Sequence, residues 1–141
     1  MLPAVAQLTA RSRALSQDLI QFRTDLQRAT PRPIATPVFI VACVAVFAVM
    51  VASGVPLMSP SAAALRNWGA NDGSRIVLRG EFWRLITSVF IHGGLIHIAM
   101  NMWSLYVIGP LVERLYGNMA YAVVYLAAGL GGAIASVAAS L

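Results

Sequence analysis

The chain has 141 residues, of which 59% are hydrophobic and only 11% are charged. An ordinary soluble domain carries roughly 25% charged residues, so this composition predicts a protein that lies in lipid. The formal net charge of +5 comes from ten arginines scattered between apolar segments. Such a distribution is typical of charges that flank membrane helices, and it argues against nucleic acid as a partner. The single cysteine, Cys43, excludes an intrachain disulfide and a paired-cysteine metal or redox site.

Residues 1–33 form a basic N-terminal arm with five arginines and two aspartates. Pro31 and Pro33 predict the end of any helix in this arm and the start of a linker. The pattern predicts a short amphipathic helix, which either lies on a membrane surface or is solvated on all sides. The apolar residues that recur at helical spacing between the charges are Leu15, Leu19, Ile20, Phe22 and Leu26.

The first transmembrane helix is predicted near residues 36–57. Residues 33–65 carry no charge, and Thr36 followed by Pro37 is typical of an N-cap and a first helical position. The segment is long enough to cross a hydrocarbon core of about 30 Å. A cleaved signal peptide fits poorly, because more than thirty residues precede the apolar stretch.

A long loop follows at about residues 58–93 and contains four arginines. It also contains Trp68, Phe82 and Trp83, aromatic residues of the kind that anchor segments at the level of the lipid headgroups. The loop is therefore predicted to be partly embedded in the interface, with an ordinary solvated loop as the alternative.

Two more transmembrane helices are predicted near residues 94–112 and 119–140. Pro110 is expected to kink or end the first of them, and the short connection of about six residues predicts an antiparallel hairpin. Small residues recur four apart in the last helix, a pattern typical of close helix packing. These pairs are Ala127 with Gly131, Ala128 with Gly132, and Gly132 with Ser136.

The distribution of arginines predicts the orientation in the membrane. Five lie in the N-terminal arm and one, Arg114, lies in the hairpin connection, against four in the long loop. The excess favours a cytoplasmic N-terminus, which places the long loop outside and the start of the second span in the outer half of the membrane.

His97 and Asn101 place ionisable and amide side chains inside the second apolar span. They are four residues apart, so a helix carries both on one face. They indicate either an inward-facing site or polar contacts between helices. His92 lies five residues before His97 without a neighbouring carboxylate, so no metal site is predicted, and no motif indicates a cofactor.

Eight residues keep a distinctive order and spacing: Trp83, Arg84, His92, His97, Asn101, Gly109, Glu113 and Gly117. Together they resemble the motifs of the rhomboid family of intramembrane serine proteases. The segment Asn67-Trp68-Gly69-Ala70 also looks like bacterial rhomboids, and the resemblance covers about residues 35–141. It implies an all-α membrane protein in which residues 34–141 form three transmembrane helices of a rhomboid-like helical bundle, with a long, partly embedded loop after the first helix.

The resemblance also implies a serine nucleophile in a G-x-S-G motif on a fourth helix and a histidine base on a sixth. None of the ten serines of this sequence lies in G-x-S-G. We therefore expect an incomplete rhomboid domain that lacks the nucleophile and base helices and is not active alone. Implied partners are the lipid bilayer, transmembrane protein substrates and the missing C-terminal helices, in the bacterial inner membrane.

By the same resemblance, His97 and Asn101 would stabilise the oxyanion of a tetrahedral intermediate. Trp83 and Arg84 would shape the loop, and Glu113 would anchor the inner end of the helix hairpin through hydrogen bonds. His92 is expected to be a structural or interfacial histidine. The alternative function is a non-catalytic rhomboid-like protein that binds transmembrane partners without cutting them.

Overall fold

The structure is a computed structural model that describes residues 2–140, with side chains from Val5 onward. Within these residues every regular element is a helix, and three helices are long and apolar enough to cross a membrane. The prediction of an all-α membrane protein with three transmembrane helices is therefore confirmed. In the described part of the chain the helices are α1 (Leu2–Ala29), α2 (Ala35–Ala52), α3 (Ala62–Asn67), α4 (Gly73–Arg79), α5 (Arg84–Thr87), α6 (Leu95–Tyr116) and α7 (Asn118–Ala139).

The N-terminal arm is one continuous helix of 28 residues, longer than the short helix that the sequence predicts. Its interior is rich in Ala, Leu, Gln and Arg, which favour helix, and neither Gly nor Pro interrupts it between Pro3 and Pro31. The arm is attached to the membrane domain at its end, where the Arg114 guanidinium donates to the Thr30 carbonyl at 2.8 Å.

The first spanning helix, α2, ends at Ala52, earlier than the predicted end at residue 57. Gly54 adopts a left-handed φ of 91°, and the Val55 amide donates back to the Met50 carbonyl at 3.1 Å. This reversal satisfies the last carbonyls of the helix, which is why the helix stops before the apolar sequence does.

Pro110 lies inside α6, which continues to Tyr116 instead of ending near residue 112. The proline removes one backbone donor, the one that would reach the Tyr106 carbonyl, and this is a local loss. The buried face of α6 continues past the proline to Glu113. Packing of that face keeps the last turn helical.

Gly117 alone separates α6 from α7, where the sequence predicts about six connecting residues. Its φ of 82° and ψ of 158° reverse the chain in one step, a conformation that favours glycine. The far end of α7 returns to the long loop, where the Asn71 side-chain amide donates to the Ala133 carbonyl at 2.9 Å. The two helices therefore run antiparallel.

The three spanning helices meet at a close crossing around Gly109. The Phe39 ring of α2 stacks on Tyr125 of α7 with 4.1 Å between centroids. A β-carbon at position 109 would lie 2.8 Å from the Thr36 hydroxyl oxygen and 2.9 Å from the Tyr121 hydroxyl oxygen. Glycine at this position is what lets α6 approach both neighbours.

The small residues of α7 that pack are not those that the sequence singles out. A β-carbon at Gly131 or Gly132 would meet nothing within 4 Å, so the predicted pairs on that face make no close helix contact within residues 2–140. The packed face carries Gly129, where a β-carbon would lie 2.8 Å from Val89. Ala133 and Val137, both buried, continue the same face at intervals of four.

Replacing Gly109 by alanine is expected to destabilise the helix bundle by about 1–3 kcal/mol, because the new methyl group overpacks the crossing of three helices. The matched control is Gly131→Ala, which adds the same methyl group to a helix surface where nothing lies within 4 Å. The free energy of unfolding, measured by SDS titration in mixed micelles, separates the two. Equal stability of the two variants would contradict the close crossing.

Candidate functional site

The start of α6 is held directly against the segment that leaves α2. The Leu95 amide donates to the Leu57 carbonyl at 2.9 Å, and a β-carbon at Gly94 would collide with the Met58 carbonyl. Gly94 also has a φ of 112°, so both the space and the backbone conformation require glycine. This contact fixes the first turn of α6, which carries His97.

His97 is oriented by a backbone donor. The Gly93 amide donates to His97 Nδ1 at 3.2 Å, so Nδ1 is the acceptor and the proton of the neutral ring lies on Nε2. The His97 side chain is exposed in the described chain. Its Nε2–H is therefore a free, oriented hydrogen-bond donor on the outer surface of α6.

His92 has the opposite arrangement of protons. It is 4% exposed, and its Nδ1 lies 3.1 Å from the Phe90 carbonyl oxygen. A carbonyl only accepts, so Nδ1 carries the proton and Nε2 is left as an acceptor. Burial lowers the pKa of His92, and the neighbouring His97 lowers it further. The two rings meet edge to face with 5.4 Å between centroids.

Asn101 lies one turn beyond His97 and faces a cleft of about 490 Å³ between α6 and α7. His92 forms part of the same wall, whereas His97 lies outside the cleft. The polar residues that line the cleft are His92, Asn101, Ser104, Tyr121 and Tyr125. The structure thus brings Asn101 and His92 to one cavity and leaves His97 at its outer edge.

Ser104 is the serine of α6 nearest to these donors. Its hydroxyl donates to the Met100 carbonyl at 2.9 Å, a bond within its own helix that keeps the hydroxyl away from the histidines. The described residues of the cleft thus present hydrogen-bond donors, while the one serine in its wall is not paired with a base.

Arg84 and Trp83 organise the long loop behind the site. Arg84 is only 3% exposed; its guanidinium donates to Glu81 at 2.5 Å and to the Arg66 carbonyl at 2.6 Å. It also lies over the Trp83 ring, 4.5 Å from the centroid. A buried charge with these partners ties α5 to the end of α3.

Gly69 and Thr87 complete this attachment, which the sequence does not predict. The Thr87 hydroxyl donates to the Gly69 carbonyl at 2.8 Å, and a β-carbon at Gly69 would lie 2.7 Å from the Trp83 ring.

Nearby, Asp72 caps α4 by accepting from the Arg75 amide at 3.0 Å, which lowers the pKa of Asp72. The Asn71-Asp72-Gly73 segment therefore starts a helix.

Glu113 is fully buried, with 0% exposure, and its hydrogen-bond partners lie at the start of α2. Its carboxylate accepts from the amides of Ile34 and Ala35 at 2.6 Å each and of Thr36 at 2.9 Å. These are the unpaired donors at the start of α2, where Ile34 offers no side-chain cap. Glu113 therefore caps the first spanning helix and ties the end of α6 to it.

The glycines on either side of Glu113 have separate structural causes. Gly109 permits the close crossing with α2, and Gly117 permits the reversal into α7.

Thr36, predicted as the N-cap of α2, is instead its second residue. The side chain that caps this helix comes from α6 because no residue of the local sequence supplies one.

The fold and the site define a helical membrane protein with an interhelical cleft that Asn101 lines and an oriented histidine, His97, one turn earlier. Residues 79–141 match the family model described as the Rhomboid domain. This match agrees with the resemblance to the rhomboid family that the motifs carry. The matched region contains Arg84, Glu113 and the residues that line the cleft, whereas the backbone partners of Arg84 and Glu113 precede it.

Three relatives illustrate the similarity. The chain is 44% identical over 69 residues to the rhomboid protease GluP of Bacillus subtilis, and the aligned region covers 49% of this chain and 13% of GluP. It is 38% identical over 81 residues to the mitochondrial RHOMBOID-like protein 6 of Arabidopsis thaliana, 57% of this chain and 26% of that protein. It is 33% identical over 82 residues to the inactive RHOMBOID-like protein 8 of Arabidopsis thaliana, 58% of this chain and 23% of that protein.

The chain spans about a quarter or less of the length of these curated relatives. No solved structure matches it significantly.

Proposed function

We propose that this chain supplies the oxyanion-stabilising part of a rhomboid-type intramembrane serine endopeptidase that cleaves transmembrane proteins. The observation that carries the proposal is the pair of polar side chains on α6, with Asn101 in the wall of the cleft and His97 one turn earlier. His97 presents Nε2–H because Gly93 occupies its Nδ1, and Asn101 presents its amide from the next turn of the same face. Fixed donors in a water-poor site act strongly on a developing negative charge.

The nucleophile and base would come from further helices packed against this face. His97 and Asn101 are exposed on a helix that is long and apolar enough to span a membrane. Polar side chains that face lipid are unfavourable, whereas side chains that face a bundle interior are common at functional sites. Helices that carry a serine and a histidine would cover these donors and complete the site.

The proposal includes an orientation and a membrane. The arginine excess of the arm and of the α6–α7 connection supports a cytoplasmic N-terminus, with the long loop and the cleft entrance outside. The similarity to GluP supports a bacterial plasma membrane. The substrate would then reach the cleft from the outer half of the bilayer.

A second candidate function is a non-catalytic rhomboid-like protein that binds transmembrane partners without cleaving them. The observation in its favour is the similarity to a relative that is named inactive. In that case His97 and Asn101 would form hydrogen bonds between helices and would have no role in chemistry.

The test is a cleavage assay on the protein purified from membranes of cells that express its gene. The protein is reconstituted with a fluorescent transmembrane peptide and treated in parallel with a fluorophosphonate probe, which labels activated serines. We expect cleavage and labelling when helices carrying the serine and the histidine are joined to this chain, and neither from residues 1–141 alone. We expect Ser104→Ala to retain both activities because the Ser104 hydroxyl bonds to its own helix. Binding of the peptide without cleavage would refute the protease and support the second candidate, and absence of both would refute both.

A further inference from the structure

An apolar seam runs along α1, outside the cleft and the loop. Its members occupy the first and fourth positions of successive heptads, alternately three and four residues apart: Val5, Leu8, Ser12, Leu15, Leu19, Phe22, Leu26 and Ala29. Written as heptads abcdefg from Val5, these are the a and d positions of a coiled coil. The pattern extends for about 37 Å of helix, the length over which heptads indicate helix pairing.

The described residues leave this seam largely uncovered. Leu8 is 67% exposed, Leu15 58%, Leu19 63% and Phe22 52%, and Leu26 alone is half-buried against the rest of the chain. A row of large apolar side chains on an otherwise polar helix favours burial against a partner.

The charges beside the seam select a second copy of this chain as the partner. Asp18 is at a g position and Arg23 at the following e position. In a parallel pair, residue g of one helix faces residue e of the next heptad of the other, so each Asp18 faces the Arg23 of the second copy. Symmetry forms this ion pair twice. Arg11 and Asp25 face Ser16 and Thr30 in the same way, so no like charges meet.

The charges that border the seam do not select a lipid surface as the partner. Arg11 and Arg23 border the seam together with Asp18 and Asp25, so the attraction of the two arginines to an anionic membrane is offset by the two aspartates. Two copies in one bilayer have the same orientation, so their α1 helices start and end at the same level. This geometry favours the parallel pairing that the charges fit.

We propose that α1 forms a parallel two-stranded coiled coil with α1 of a second copy of this chain. The single polar member of the seam, Ser12, lies at an a position, where the two side chains of a parallel pair meet across the axis. The pairing would place two membrane domains side by side, independently of the chemistry in the cleft.

The first test uses disulfide trapping in the full chain reconstituted in vesicles. Ser12→Cys places a thiol on the seam, and the control Ala10→Cys places one on the outer f position of the preceding heptad. The native chain is the blank, because its only cysteine, Cys43, is buried. Under mild oxidation we expect a covalent dimer from Ser12→Cys alone. No dimer, or equal yields from both variants, would refute the proposal.

The second test compares neighbouring residues of equal exposure in the Ser12→Cys background. Leu19 and Ile20 are 63% and 64% exposed, but only Leu19 is on the seam. We expect Leu19→Asn to lower the dimer yield about tenfold because two polar groups enter the seam, and Ile20→Asn to leave it unchanged. Asp18→Arg and Arg23→Asp should each lower the yield, and the double exchange should restore it.

Vesicle composition distinguishes the membrane alternative. We expect the same dimer yield in vesicles of phosphatidylcholine and in vesicles that also contain phosphatidylglycerol. If phosphatidylglycerol abolishes the dimer, or if Leu19→Asn and Ile20→Asn have the same effect, α1 binds an anionic lipid surface and the coiled coil is refuted.

Discussion

In a protein that joins this chain to helices carrying the serine and the histidine, replacing Asn101 by alanine is expected to lower kcat for cleavage of a transmembrane substrate by about 100-fold or more, because an oxyanion donor acts mainly on the transition state. The Asn101 side chain is exposed at the cleft, so its removal leaves the packing of the helices intact. His97→Ala should lower kcat similarly, since His97 presents a proton on Nε2. Asn101→Asp should lower it further because a negative charge would face the oxyanion.

The control for this prediction is Ser104→Ala, which changes the same wall of the cleft one turn away. Activity and thermal melting are measured together on all variants. If Asn101→Ala retains full activity, or loses activity only in step with its melting temperature, the oxyanion role is wrong. Polar contact between helices would then be the better account of His97 and Asn101.

Replacing Glu113 by alanine is expected to destabilise the folded chain by about 3 kcal/mol or more, because each buried donor left unpaired costs about 1–3 kcal/mol. Three backbone amides at the start of α2 lose their acceptor together. The stability of Glu113→Gln should lie between those of the native and the Glu113→Ala proteins. The glutamine side-chain oxygen still accepts a hydrogen bond, whereas its side-chain nitrogen is itself a donor.

The measurement for Glu113 is the free energy of unfolding by SDS titration, with hydrogen exchange at the start of α2 as a local readout. The expected order is native, Glu113→Gln, Glu113→Ala, with exchange fastest in the last. A Glu113→Ala protein as stable as the native chain would show that the cap contributes little. Loss of cleavage without loss of stability would instead assign Glu113 to the chemistry.

The number of the spanning helices is readable from the sequence because a bilayer imposes their length and composition. A segment that crosses lipid must be long, apolar and internally hydrogen-bonded, and α2, α6 and α7 meet that requirement by composition alone. Local signals are weaker. Pro110 predicts a helix end near residue 112, but the buried face of α6 continues beyond it and overrides that preference.

The partners of the motif residues are not readable from the sequence. Glu113 and Arg84 both bind backbone atoms, which every residue possesses, so no side-chain pattern marks the other end of either contact. The tautomer of His97 cannot be predicted from the sequence either, because it depends on the direction of one backbone amide, that of Gly93. Residue types predict which side chains matter here, and only the fold shows what each one binds.

The cap on α2 has a consequence for the order in which the protein is made. The capped amides precede Glu113 by 77 to 79 residues, and at about 5–20 residues per second the ribosome needs about 4–16 s to reach it. After Ala52 has been added, α2 is complete for the rest of that interval, but its first amides have no acceptor. Water or lipid headgroups must satisfy them, which holds the start of the helix at the membrane surface. Synthesis of α6 therefore supplies the Glu113 carboxylate as the acceptor and fixes the depth of the first helix in the bilayer.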